Sequence, residues 1–179
     1  MDRKNDLYMQ LKKACEQNGV AYQPIDIAKC IFEERIHLKC LYCEKYGNNW
    51  RCPPRIPNLD YKKIISEFDN IAIIYNYYTI TQTNKDTVRY DSTNHLHKAL
   101  LSLEKILFDN GNPTALSFIG GSCKLCKNGC DETHCNNPAT SRIPVEAIGI
   151  NVIKTAQAYG IEVKWPVVDT MLRLGMLMW

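Results

Sequence analysis

At 179 residues, with 45% hydrophobic and 23% charged side chains, the chain has ordinary globular composition, which excludes wholesale disorder and leaves room for one domain with a real core. Lys and Arg total 22 against 19 Asp and Glu, a net charge of only +3 with the cations scattered, so the basic block of a nucleic-acid-binding protein is missing. The amino-terminal MDRKNDLYMQLKK lacks the apolar run of a secretory signal, and no stretch approaches the roughly 20 apolar residues of a membrane span; a cytoplasmic protein with reduced thiols and neither nucleic-acid nor membrane partners is expected.

Residues 4–18 place Leu7, Leu11, Ala14, Cys15 and Asn18 near one face at helical spacing, with Gly19 as the stop. Cys15 sits on that apolar stripe and reads as a buried small hydrophobe rather than a ligand. The Ile-rich IDIAKCIFEERIHLKC, residues 25–40, partly alternates and is predicted to run extended into the first cysteine run. Asn58 and Asp60 are candidate caps of a short helix over LDYKKIISEF, residues 59–68. That helix delivers a β-rich run from Ile71 to Ile80, predicted as a central strand buried on both faces.

A polar loop leads to a longer helix near 93–109, striped by Leu96, Leu100, Leu103, Leu107 and Phe108 and ended at Gly111. Ala115 to Ile119 follows as a short apolar strand expected beside residues 71–80, and GGSC opens the second cysteine run at its end. VEAIGINVIKTAQAYG, residues 145–160, has a helical pattern closing at Gly160; IEVKW (161–165) and LRLGMLMW (172–179) read as strands. The alternation predicts an α/β fold in which residues 1–179 form a single domain with a mixed sheet covered by helices, α+β being the alternative. Cysteine-rich metal loops would lie at about 40–55 and 120–138.

Seven of the nine cysteines fall in two runs, Cys40, Cys43 and Cys52 in CLYCEKYGNNWRCPP and Cys123, Cys126, Cys130 and Cys135 in GGSCKLCKNGCDETHC. An odd total, C-x2-C pairs and no secretory signal argue for metal ligation over disulfides. In the second run the gaps are two, three and four residues, with Pro138 three positions after the last Cys, close to the bacterial ferredoxin pattern of two, two and three followed by Pro. Gly120, Gly121 and Gly129 supply the freedom a wider loop needs. Four thiolates this crowded suit a [4Fe–4S] cluster better than zinc, which usually takes two separated knuckles. His134 could replace one thiolate but reads better as an exposed loop residue.

The first run offers three evident ligands, with Pro53 and Pro54 fixing the chain that leaves them. Cys30 lies too far along an extended segment to be the fourth and reads as core, and His37, three positions before Cys40, reads better as a surface or packing residue. A three-cysteine centre would keep one position open to water, substrate or a partner's side chain, and open positions are where metal sites do chemistry. Lys39, Lys45, Arg51 and Arg55 would offset cluster charge or receive an anionic substrate, or equally be ordinary solvated surface charges. Tyr42, Tyr46 and Trp50 would shield the site from water, or simply be core.

Taken together, CLYCEKYGNNWRCPP, KALLSLEKILFDNG, and GGSCKLC with Cys130, Cys135, Pro138, Arg142, Glu146, Ala147, Gly149 and Ile150 span most of the chain. In these motifs the chain resembles a prokaryotic family of predicted metal-binding proteins, domain of unknown function 2284. The resemblance implies a cytosolic protein of anaerobes and archaea with all seven cysteines as ligands, and brings no activity with it. Relatives tend to have Pro-Ser-Met ahead of the Glu-Ala pair, where this chain has SRIPVEA. Arg142 and Glu146, four apart at a predicted helix start, are expected to brace the cluster loop, through each other or through the loop.

The leading expectation is an iron–sulfur protein serving electron transfer or a redox reaction. With no nucleotide-binding glycine loop, flavin signature or nucleophile triad, its reducing equivalents would come from a redox partner protein. A small-molecule substrate could bind at the open three-cysteine site. The alternative is a zinc-binding structural or protein-interaction module.

Overall fold

A computed structural model describes residues 3–85 and 87–179. The chain runs through helix α1 (Arg3–Gln17), strand β1 (Ala21–Ile25), helices α2 (Arg35–Leu41) and α3 (Tyr61–Ile65), strand β2 (Ile71–Thr79), helix α4 (Val88–Asp109), strand β3 (Leu116–Phe118), helix α5 (Val152–Gln157) and strand β4 (Thr170–Met178). The four strands form one sheet in the order β1-β2-β4-β3, every neighbouring pair antiparallel. Helices and sheet combine as expected, in the α+β form of the expectation: the strands are not parallel, because β4 arrives from the carboxyl end and runs back between β2 and β3.

Strand β2 is interior and its first half is buried on both faces. Ala72 and Ile74 pack with Leu11 of α1 and Leu96, Leu100, Leu103 and Leu107 of α4, whereas Ile71 and Ile73 pack on the other side with Val145, Ile148, Ile150 and Ile161. Two opposed cores remove the need for polar alternation, which is why this strand reads as a continuous apolar run. Residues 115–119 lie beside β4 and not beside β2. The register Phe118↔Met176 and Ile74↔Gly175 shows that the carboxyl-terminal strand, buried from Leu174 onward, takes the central slot. Gly175 lets α4 approach: a Cβ there would stand 2.6 Å from the Phe118 carbonyl oxygen and 2.7 Å from a Leu100 methyl.

Several expectations change. Residues 35–41 are helical, not extended, because Ile36 and Cys40, one helical turn apart, turn inward together. Helix α4 begins at Val88, earlier than 93; buried Ser92, Thr93 and His97 on its inner side had masked the stripe, and Phe108 is off it, 64% exposed. The helical pattern of 145–160 breaks at Gly149 (φ 86), leaving a single turn at Glu146–Ile148 and then α5, capped by the Asn151 side chain. That break lets Ile150 bridge to Phe32. Residues 161–165 form no strand: Ile161 is buried in the core and Val163 packs against it, while Trp165 is 80% exposed. Asp60, rather than Asn58, caps α3, accepting from the Lys63 amide. No helix among the described residues is long and apolar enough to cross a membrane.

Candidate metal centre

The first cysteine run folds as consecutive tight turns at the end of α2. Main-chain bonds from Cys43 to Cys40, Tyr46 to Cys43, Cys52 to Asn49 and Arg55 to Cys52 wind it into a coil, and the Gly47 amide donates to the Pro53 carbonyl across its neck. Cys52 is thereby buried and Cys43 left exposed. The second run leaves β3 at Gly120, where any Cβ would collide with the Leu174 carbonyl, so only glycine lets the chain pass β4. Gly121 then turns with φ 75 and donates its amide to Glu146 Oε2 at 3.2 Å. From Cys123 to Cys135 the backbone is irregular, with one bond of its own, Gly129 to the Cys126 carbonyl.

An irregular loop must satisfy its polar groups elsewhere, and the first run supplies the partners. Asn49, 4% exposed, donates to the Cys123 carbonyl at 3.1 Å and accepts the Arg51 amide at 2.9 Å. Trp50 Nε1 donates to the Asp131 carbonyl at 2.8 Å, under an Arg55 guanidinium 4.1 Å above its ring. Arg51 donates to Ser141 Oγ at 2.6 Å and to the Pro138 carbonyl at 3.0 Å. Thus Arg51, Arg55 and Trp50 clamp one cysteine loop onto the other. Within the second run the Asn137 amide donates to Cys126 Sγ at 3.2 Å, and Ser141 Oγ lies 3.4 Å from Cys135 Sγ.

Helix α4 holds the return limb. Glu104 accepts from Arg142 Nε at 2.7 Å and pairs with its Nη2, and the same carboxylate accepts both the amide and the hydroxyl of Ser117. Arg142 also donates to the Ala139 and Ser141 carbonyls at 3.0 Å. Arg142 and Glu146 therefore both brace the loop, as expected, but not through each other: one ties the return limb to α4 and the other holds the entry at Gly121. His97, fully buried, donates through Nε2 to the Thr140 carbonyl at 2.8 Å.

All seven cysteines of the two runs line one cavity of about 970 Å³. Cys15 and Cys30 do not; each packs against a core cluster, where burial pushes their thiols up to about 12 and about 11. Burial also raises Cys52 to about 12, with the neighbouring Cys43, Cys40, Cys123 and Cys130 adding to it, which sets Cys52 between the two runs. Cys123 is raised by burial and then by Cys130, Cys135 and Cys126, and Cys40 by burial, Glu146 and Cys43. Metal loading at neutral pH must therefore displace protons from these thiols. Among the described residues no three His, Cys, Asp or Glu side chains stand close enough to hold one ion, so a centre here either draws its thiolates inward or spans a wider group.

Lys39, Lys45, Tyr46, Trp50, Arg51 and Arg55 line the cavity as anticipated. Tyr42 does not: at 89% exposed it shields nothing. His134 is exposed and bonded to Thr133, and His37 packs over Gly149, so neither joins the cysteines. Arg89, Lys124 and Glu146 also face the cavity. Burial lowers Lys124 to about 8, helped by Arg173, Arg89 and Lys45; burial raises the Glu146 carboxyl against the pull of Arg173 and Lys124. Asn49, Ser141, Glu104, His97, Arg89, Lys124 and Arg173 had not been singled out. His97 and Glu104, seven apart beside a leucine stripe, carried the one local signal, two polar residues on the inner side of a helix.

Residues 23–179 match the family model described as predicted metal-binding protein (DUF2284). No curated protein and no solved structure matches the chain.

Proposed function

The chain belongs to the DUF2284 family of predicted metal-binding proteins, and from that premise we propose that its cavity cysteines hold iron–sulfur, of the [4Fe–4S] kind, for electron transfer or a redox reaction with a partner protein. The observation that carries this reading is that Cys40, Cys43, Cys52, Cys123, Cys126, Cys130 and Cys135 line one cavity while the two remaining cysteines sit in core. An all-thiolate donor set suits iron–sulfur, zinc or Cu(I) and not hard cations. Tetrahedral zinc, with Zn–S near 2.3 Å, needs four sulfurs roughly 3.8 Å apart. Seven thiols spread around one cavity suit a larger group.

An iron–sulfur centre, when bound, supplies one-electron chemistry. Cys123, Cys126, Cys130 and Cys135 would hold one cluster, and Cys40, Cys43 and Cys52 would hold a second or complete the first. The Asn137 amide donating to Cys126 Sγ withdraws charge from that sulfur, which raises the potential of anything bound to it. Cys43, the exposed thiol of the set, marks the side a redox partner approaches. Purification under strict anoxia followed by iron, acid-labile sulfide and zinc analysis tests the reading. Brown protein with iron and sulfide in equal amounts is expected; stoichiometric zinc without sulfide would overturn it in favour of a zinc-held structural or protein-interaction module.

A further inference from the structure

Three cations from three separate elements stand about Gly121 on the wall of the thiol cavity, Arg89 and Lys124 lining it and Arg173 behind Gly121. Arg89 stands in the first turn of α4 and Lys124 follows Cys123, both on the cavity wall. Arg173, on β4, is fixed behind them by its Nε bond to Ser92 Oγ at 3.0 Å and its Nη2 contact to the Arg89 carbonyl at 3.5 Å. Its remaining nitrogen, Nη1, points at Gly121, 3.8 Å from where a Cβ would sit, so no side chain shields the guanidinium on that side. Lys124 Nζ is tied only to Ser122, by its carbonyl at 3.0 Å and its hydroxyl at 3.3 Å.

None of these three cations enters an ion pair among the described residues, whose six pairs lie elsewhere. The one carboxylate on this wall, Glu146, spends an oxygen on the Gly121 amide. That single carboxylate offsets only one of the three positive charges, and a partly enclosed wall left net positive concentrates anions. Two guanidiniums present forked donors that match the oxygens of a carboxylate or phosphate, and an ammonium adds a point charge. Arg51 and Arg55 donate to the other loop's carbonyls and Lys45 pairs with Glu44 at 3.3 Å, so these three cations are already engaged.

We propose that Arg89, Lys124 and Arg173 form an oxyanion-binding wall, and that the protein takes a small-molecule substrate anchored there by a carboxylate or phosphate group beside the thiols. The role as a substrate anchor rests on the metal-centre reading above; the binding itself does not.

Calorimetric titration of inorganic phosphate and of malonate, each into metal-loaded and metal-free protein at low salt, tests the wall. Saturable binding of at least one is expected, and the tighter of the two identifies the group recognised. R89Q, K124Q and R173Q should each weaken it by about tenfold or more, while K12Q, at an exposed lysine of α1 outside the cavity, should not. Arg89 is exposed, so R89Q folds even if R173Q does not. No binding of either anion at millimolar concentration, or variants that bind like wild type, would overturn the proposal. So would variants that lose iron or shift the midpoint potential with no anion bound, since the cations would then serve only to balance the centre. Anion binding by protein that carries no iron or sulfide when purified under strict anoxia would leave the wall standing and remove the metal reading.

Discussion

The Asn49 side-chain amide donates to the main-chain carbonyl of Cys123, 3.1 Å away and 74 residues further along the chain. This one contact stitches the two cysteine loops together at their most buried point. It leaves both loops positioned by protein contacts, so the cavity exists as a shape before any centre forms within it. Such pre-organisation limits how far the thiolates must travel to reach a common group.

Asn49→Ala leaves the Cys123 carbonyl and the Arg51 amide without partners in a buried place, which should cost about 1–3 kcal/mol. Thermal unfolding should report a lower midpoint, and protein prepared anaerobically should retain less metal. Wild-type values for both would mean that the loops are held by the thiol ligands alone.

Glu104 serves Arg142 and Ser117 at once, with side-chain exposure of only 12% against 18% for Arg142. Glu104→Gln removes the charge while keeping the shape, stranding a half-buried guanidinium, and should lower unfolding free energy in urea by roughly 3 kcal/mol. The double variant E104Q/R142Q should lose less than the sum of the two single changes. Additive losses would show the pair to be uncoupled.

The nine cysteines should divide seven to two in metal content. Cys52→Ser, at the meeting point of both runs, should strip most of the metal from anaerobic protein. Cys15→Ala and Cys30→Ala should keep it, at a stability cost of about 1 kcal/mol for the small core void. Loss of metal on changing Cys30 equal to that on changing Cys52 would place Cys30 among the ligands.

His97 is fully buried, and its Nε2–H is committed to the Thr140 carbonyl, so Nδ1 carries no proton and has no partner among the described residues. Burial lowers its pKa below the ordinary histidine value. The unfolded chain then takes up a proton near pH 6.5 while the native protein does not, so stability is full above about pH 6.5 and falls as pH drops from there through the native pKa. His97→Phe should flatten that part of the stability–pH curve. Identical slopes between pH 7 and 5 would show that His97 protonates freely in the fold.

Nearest-neighbour chemistry was legible in the sequence alone. The leucine stripe of α4, the Asp60 cap, the Gly19 stop and the apolar runs of β2 and β4 are all set by residues within a few positions of one another, and each appears where its pattern implies. The core assignment of Cys15 followed from the same periodicity. Tertiary structure alone decided that β4 inserts between β2 and β3, that residues 35–41 coil so that Cys40 faces inward, and that Gly149 breaks a helical pattern to let Ile150 reach Phe32. It also chose the walls of the site. Asn49 meets Cys123, Trp50 meets Asp131, Arg51 meets Ser141 and Glu104 meets Arg142 across separations of 74, 81, 90 and 38 residues. A polar side chain bears no local mark of a partner so distant, because what selects that partner is the demand of a buried carbonyl, hydroxyl or charge that exists only once the chain has folded around it.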